Sequence, residues 1–154
     1  MLFDPTHENG VERLAETLRR AQAITPDLMA EVITQACVRF AAHGSAARIR
    51  VNQLIDARAW DDAILVLLDL ELPQWKLRRI VYDDGEWLCT LSKAPMLPLG
   101  LDETVEATHE VLPLAILIAL LQARRATTAS ATNSTSVPQV RPQQGHPVSC
   151  DNFV

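Results

Sequence analysis

The sequence from Trp75 to Ser92, WKLRRIVYDDGEWLCTLS, decides the fold. Two runs rich in β-branched, aromatic and other apolar residues flank the segment Asp83-Asp84-Gly85. Such a segment between two β-prone runs is one of the strongest local signals for an antiparallel hairpin. The sequence therefore predicts one two-stranded β-hairpin at the centre of the chain.

The register of the hairpin follows from which faces it would bury. A three-residue loop at 83–85 pairs Tyr82 with Glu86 and collects most of the apolar side chains on one face. A two-residue Asp84-Gly85 loop would instead place Trp87 beside Tyr82 and divide the apolar residues between the two faces. Burial of a single face favours the three-residue loop.

Helical patterns precede the hairpin. Residues 1–9 are expected to form a loose lead-in, and a helix is expected from Val11 to about Ala23. A second helix begins at Pro26 with Thr25 as its cap and runs to His43. Residues 45–72 should contain an antiparallel pair of helices, which ends before Pro73.

An apolar helix follows the hairpin. Residues 93–100 hold two prolines and predict an ordered crossing loop, after which Asp102-Glu103-Thr104 would begin the last helix. Pro113 should either kink this helix or mark the first turn of a new one. The run Leu114–Leu121 is apolar almost all round and predicts the buried helix that covers the hairpin.

These patterns together predict the α+β class, with about five helices packed on one two-stranded hairpin. Residues 10–126 would form a single domain whose core is 45–126. Residues 127–154 are rich in Thr, Ser, Gln and Pro and predict a disordered tail.

The composition excludes several classes of protein. The chain has 154 residues, a hydrophobic content of 48% and a formal charge of −5, so neither wholesale disorder nor long-range attraction to nucleic acid or an anionic membrane is expected. The N-terminus has no secretory signal pattern, and the longest apolar run is too short to span a bilayer. Three widely spaced cysteines favour a reducing cytoplasm.

The strongest candidate for chemistry is a possible metal site. In a helix, Glu106, His109 and Glu110 would share one face, and Glu-x-x-His is the local unit of di-iron carboxylate bundles. No second copy of the unit is evident in the sequence. A solvated acidic first turn of the helix is therefore the favoured interpretation, and no cofactor is expected.

Two other candidates involve residues of the hairpin. Arg78 and Arg79, with Trp75 and Trp87 nearby, could form a basic-aromatic surface for RNA or a phosphorylated ligand, aided by Arg48 and Arg50. Adjacent residues of a strand point to opposite faces, however, so exposed charges are the favoured interpretation. Cys89 could be a nucleophile, but a buried structural thiol is favoured because His109 is the only plausible base.

The segments Leu72–Trp87 and His109–Ile116 resemble corresponding parts of a group of short bacterial proteins. The resemblance covers roughly residues 45–126. The group has no assigned activity, so the resemblance implies a soluble bacterial protein and carries over no functional residues.

The first functional hypothesis is a non-enzymatic interaction or regulatory protein that associates with itself, through the hairpin edge or the 28–40 helix. The alternatives are a small metal-dependent enzyme that uses Glu106, His109 and Glu110, and a nucleic-acid-binding accessory protein. The charge disfavours nucleic acid, and no membrane partner is expected.

Overall fold

The computed structural model describes residues 5–133 and has an α+β fold in which helices pack on one antiparallel sheet. The α-helices are α1 (Pro5–Arg20), α2 (Pro26–Ala36), α3 (Val38–Ala42), α4 (Ser45–Asp56), α5 (Trp60–Glu71) and α6 (Leu112–Asn133). The strands are β1 (Lys76–Asp83), β2 (Glu86–Ser92) and β3 (Thr104–His109). The predicted fold class is confirmed, but the described residues form six helices and three strands.

Local sequence signals predicted several helix ends correctly. The hydroxyl of Thr25 accepts a hydrogen bond from the Leu28 N–H at 3.2 Å, and Pro26 occupies the first turn of α2. Helices α4 and α5 pack against each other as the predicted pair. In the last helix Pro113 lies in the first turn, where the absence of its N–H costs nothing.

Other helix boundaries were wrong. Helix α1 already begins at Pro5, inside the expected lead-in, and α6 continues to Asn133, seven residues into the expected tail. The remainder of that predicted tail, residues 134–154, lies outside the described residues. The single helix expected over 26–43 is broken at Cys37. A carboxylate from α5 explains the restart, because buried Glu71 accepts the N–H of Phe40 at 3.0 Å.

The predicted register of the hairpin was also wrong. Asp83 pairs with Glu86 and Tyr82 with Trp87, so the loop is the two-residue Asp84-Gly85 turn. Both turn residues have positive φ, 48° and 86°, as in the turn whose twist matches antiparallel strands. A two-residue loop with regular pairing would divide the apolar residues between the two faces. A bulge at Arg78 shifts the pairing by one residue, so that Leu77 lies opposite Leu91 on the same face.

The third strand, β3, occupies residues that were expected to begin the last helix. It pairs antiparallel with β2, so the sheet has the order β1-β2-β3 and two edge strands. Because α6 starts only at Leu112, the chain turns directly from the end of β3 into the helix that covers the sheet.

The core lies between α6 and one face of the sheet, with α1 and α5 on the other sides of α6. The predicted burial is confirmed, since every residue from Leu114 to Leu121 is at most 3% exposed, but α6 covers β2 and β3 rather than the two strands of the hairpin. Cys89 and Ala107, neighbours on the α6 side of the sheet, are also buried. Trp75 just before β1 is fully buried, and its indole N–H donates to the Thr127 hydroxyl at 2.9 Å.

Candidate interaction surface

The loop between β2 and β3, residues 94–101, exposes an unusual amount of apolar surface, and we call it the apolar loop. Its large side chains Met96, Leu97, Leu99 and Leu101 are 96%, 44%, 58% and 74% exposed. Single exposed apolar residues are normal, but contiguous apolar patches on a protein surface usually mark a binding site. Four such residues within six positions make this loop the strongest candidate for a functional surface.

The backbone of the apolar loop explains why these side chains face outward. Pro95 and Pro98 fix their own φ angles and lack N–H groups, so the segment cannot extend either strand. Two tight turns form instead: Leu97 N–H donates to the Ala94 carbonyl and Leu101 N–H to the Pro98 carbonyl, both at 2.9 Å. These turns satisfy the backbone groups locally, and the four large side chains remain exposed.

Asp102 holds both ends of the apolar loop. Its carboxylate accepts hydrogen bonds from the Ser92 hydroxyl, from the Ala94 N–H at 2.9 Å and from Arg78 Nη1 at 2.5 Å. Arg78 also donates to the Leu97 carbonyl at 2.9 Å. The Asp102 side chain has no exposed surface. The apolar loop is therefore fixed to the sheet before any partner binds, which reduces the entropy lost on binding.

The electrostatics of this anchor favour the ionised carboxylate. Burial of Asp102 on its own would raise its pKa. The hydrogen bonds from Ser92, Ala94 and Arg78, together with the positive charge of Arg78, outweigh burial and lower the pKa. The anchor is thus an ion pair at neutral pH.

A second ion pair, between the residue that follows β2 and the residue that precedes β3, closes the base of the apolar loop. Lys93 Nζ lies 2.7 Å from Glu103 Oε2, and the Lys93 N–H donates to the Glu103 carbonyl at 3.2 Å. The same ammonium group stands 5.1 Å from the centre of the Trp75 ring, within range of a cation–π interaction. The base of the loop is consequently charged, whereas its tip is apolar.

The residues proposed for a metal site do not share a helical face. Glu106 and His109 belong to β3 and point to opposite faces, since Glu106 pairs with Thr90 and His109 with Trp87. His109 Nδ1 accepts the Val111 N–H at 2.9 Å, and Glu106 accepts the Thr90 hydroxyl at 3.2 Å. Across residues 5–133 no three His, Cys, Asp or Glu side chains are grouped so that they could hold a metal ion. The expected helical geometry, which included Glu110, was wrong because strand alternation replaces it.

The residues proposed for a basic-aromatic binding surface also do not come together. Trp75 is fully buried, and Arg78 is committed to Asp102 and the Leu97 carbonyl. Trp87 is half-buried and lies against Tyr82, with 4.9 Å between the ring centres. Arg79 is exposed on the sheet. The exposed Arg48 and Arg50 belong to α4, which packs on α5 and α2.

Neither described cysteine is suited to act as a nucleophile. Burial raises the pKa of the Cys89 thiol to about 12. Burial and the charge of Glu71 raise the pKa of Cys37 to about 12, and Arg124 opposes them only in part. Both thiols remain protonated at neutral pH and serve as small apolar side chains.

Sequence reasoning identified residues 93–100 only as an ordered crossing loop. A usable signal was present in the sequence Pro95-Met96-Leu97-Pro98-Leu99-Gly100-Leu101. Its prolines disfavour a strand or an α-helix, and the segment forms only the short 3₁₀ helix Leu99–Leu101, so its four large apolar residues have no strand or α-helix face through which to reach the core.

Comparison with known proteins adds no family. No protein-family model, no curated protein and no solved structure matches the chain. Among residues 5–133, no helix combines the length and apolar character that crossing a membrane requires.

Proposed function

We propose that this protein is a non-enzymatic interaction protein that forms a homodimer through the outer edge of β1 and the adjoining apolar loop. The observation that supports this most is the order of the side chains along β1. Lys76 and Arg79 lie near its start, whereas Asp83 ends it and Asp84 follows directly.

Antiparallel pairing of β1 with β1 of a second copy makes this order complementary. A two-fold axis across the strand places the basic start of one copy against the acidic end of the other, twice. Charges on an edge strand normally keep other strands away. Here a parallel pairing would oppose like charges, so the charges select the antiparallel pairing of two copies.

The exposed apolar residues are consistent with the same arrangement. The apolar loop adjoins the start of β1, because Arg78 donates to the Leu97 carbonyl. Tyr82, at the other end of β1, is 59% exposed. An antiparallel pairing would bring the apolar loop of each copy toward Tyr82 of the other and remove both from water.

The α2–α3 region, the other surface considered for self-association, is less suitable. Leu28, Met29, Val32 and Phe40 are at most 9% exposed and already belong to the core of the monomer. Val38 is the large apolar residue there that remains 55% exposed. The edge of β1 therefore offers more free surface.

Sedimentation velocity over the micromolar range tests the proposal with a charge swap. We expect a concentration-dependent dimer for the wild type, a shift toward monomer for Lys76→Glu and for Asp83→Lys, and recovery of the dimer in the double variant. Both side chains are exposed. Lys76→Glu also removes the ion pair between Lys76 and Asp69, but that pair lies on the surface and contributes little to stability, so the swap should leave the monomer folded. A wild type that stays monomeric, or a double variant no better than the single ones, would refute the β1 interface.

A further inference from the structure

We infer that the C-terminal segment, residues 134–154, docks on the apolar loop of its own chain and thereby competes with the second copy. The inference rests on the proposed function, since it assigns a form of regulation to the same surface. The first observation is the position of the C-terminal part of α6.

Helix α6 passes the base of the apolar loop in its C-terminal part. The indole N–H of Trp75 donates to the Thr127 hydroxyl at 2.9 Å, and the Lys93 ammonium stands 5.1 Å from the Trp75 ring centre. Lys93 begins the connection that contains the apolar loop, and its N–H bonds to Glu103 at the far end of that connection. Thr127 thus lies beside the base of the loop, and the helix continues for six residues, about 9 Å, to Asn133.

The length of the C-terminal segment is sufficient for this contact. It contains 21 residues, and a chain of that length spans about 70 Å when fully extended. A flexible chain of 21 residues would have a root-mean-square end-to-end distance of about 25 Å. Tethering over such a length gives an effective concentration in the millimolar range. A weak contact within the chain would therefore compete well with a second copy at micromolar concentration.

The composition of the segment suits an apolar surface. It carries Phe153 and several valines, whereas its charged side chains are only Arg141 and Asp151. Docking of Phe153 would bury apolar surface on both sides and remove few charges from water. The four exposed side chains of the apolar loop offer a matching surface for an aromatic ring.

Paramagnetic relaxation in the protein of 154 residues tests the contact. A spin label is attached at Cys150, which is selective because Cys37 and Cys89 are buried with pKa values near 12. The methionine methyl groups carry ¹³C. We expect a loss of Met96 intensity relative to Met29, which is fully buried in α2. The matched control, Phe153→Ser, keeps the length and the label of the segment and should restore Met96 intensity.

Three results would overturn the inference. These are an unchanged Met96 signal, equal broadening in Phe153→Ser, and broadening that appears only between copies. The last is detected by mixing spin-labelled chains with ¹³C-methionine chains that carry Cys150→Ser. Sedimentation of the same samples tests the competition: Phe153→Ser should dimerise at a lower concentration than the wild type, and unchanged dimerisation would refute the competition. If both proteins stay monomeric, the homodimer and the competition are refuted even where Met96 broadening shows docking. A dimer without broadening refutes docking and leaves the homodimer standing.

Discussion

Replacement of Leu117 by alanine measures how much of the stability comes from packing α6 on the sheet. Leu117 is fully buried in the middle of the apolar stretch of α6 that covers β2 and β3. Removing its isobutyl group loses the transfer free energy of the buried carbons and leaves a cavity, at a cost of about 2–5 kcal/mol. Because a domain of this size is stable by only about 5–15 kcal/mol, the loss should be large and easily measured.

Urea unfolding monitored by tryptophan fluorescence gives this loss directly. The midpoint should fall with the slope unchanged, as expected when only the native state loses stability. The control is Ile49→Ala, because Ile49 is 54% exposed on α4 and lies outside the proposed interface. That variant should stay within about 0.5 kcal/mol of the wild type. Equal losses for Leu117→Ala and Ile49→Ala would refute the assigned packing of α6 on the sheet.

Three further changes test the turn, the loop anchor and the buried thiols. Gly85→Ala should destabilise the protein by about 1–2 kcal/mol in urea unfolding, because Gly85 has φ = 86° and an L-residue is strained there. The lowered pKa of Asp102 means that its stabilisation is present above the ordinary value of 3.8 and is lost as the pH falls through the lower native value. Asp102→Asn should therefore be less stable than the wild type at neutral pH, and a difference that failed to shrink in acid would contradict the ion-pair anchor. Cys89, whose pKa is raised to about 12, should react with a thiol reagent at pH 8 only as fast as the protein unfolds, and rapid labelling of the native protein would show that the thiol is not buried.

The sequence was most informative where one local interaction settles the structure. The Thr25-Pro26 start of α2 depends on a single hydroxyl and a ring that fits the first turn, so it could be predicted without any tertiary context. The same holds for Leu114–Leu121, since a stretch that is apolar on every side has to be buried wherever it lies.

The register of the hairpin depended on an irregularity that no local pattern announces. With uninterrupted pairing, the Asp84-Gly85 turn would set Arg78 opposite Leu91. The sequence favoured the three-residue loop because the Asp84-Gly85 turn would divide the apolar residues between the two faces. The bulge at Arg78 removes the conflict, and the freed guanidinium binds Asp102, 24 residues later in the chain. Only the tertiary contact explains why the bulge is favourable.

β3 was missed because two local signals competed. The acids at Asp102 and Glu103 are suited to a helix start, whereas Thr104, Glu106 and Thr108 alternate with less polar residues in the two-residue period of a strand. Pairing with β2 decides between them, because it supplies hydrogen-bond partners along the whole strand. The candidate surface was missed together with the strand, since residues 94–101 are recognisable as an exposed loop only when both flanking strands are known.

Hydrogen exchange of the β1 amides at low and high protein concentration tests the central claim most directly. If two copies pair through β1, the amides on the outer edge of residues 77–82 should become protected as the concentration rises. Those of β3, the opposite edge of the same sheet, should not change and serve as the internal control. Exchange at β1 that is equally fast at every concentration, or protection confined to β3, would contradict the account.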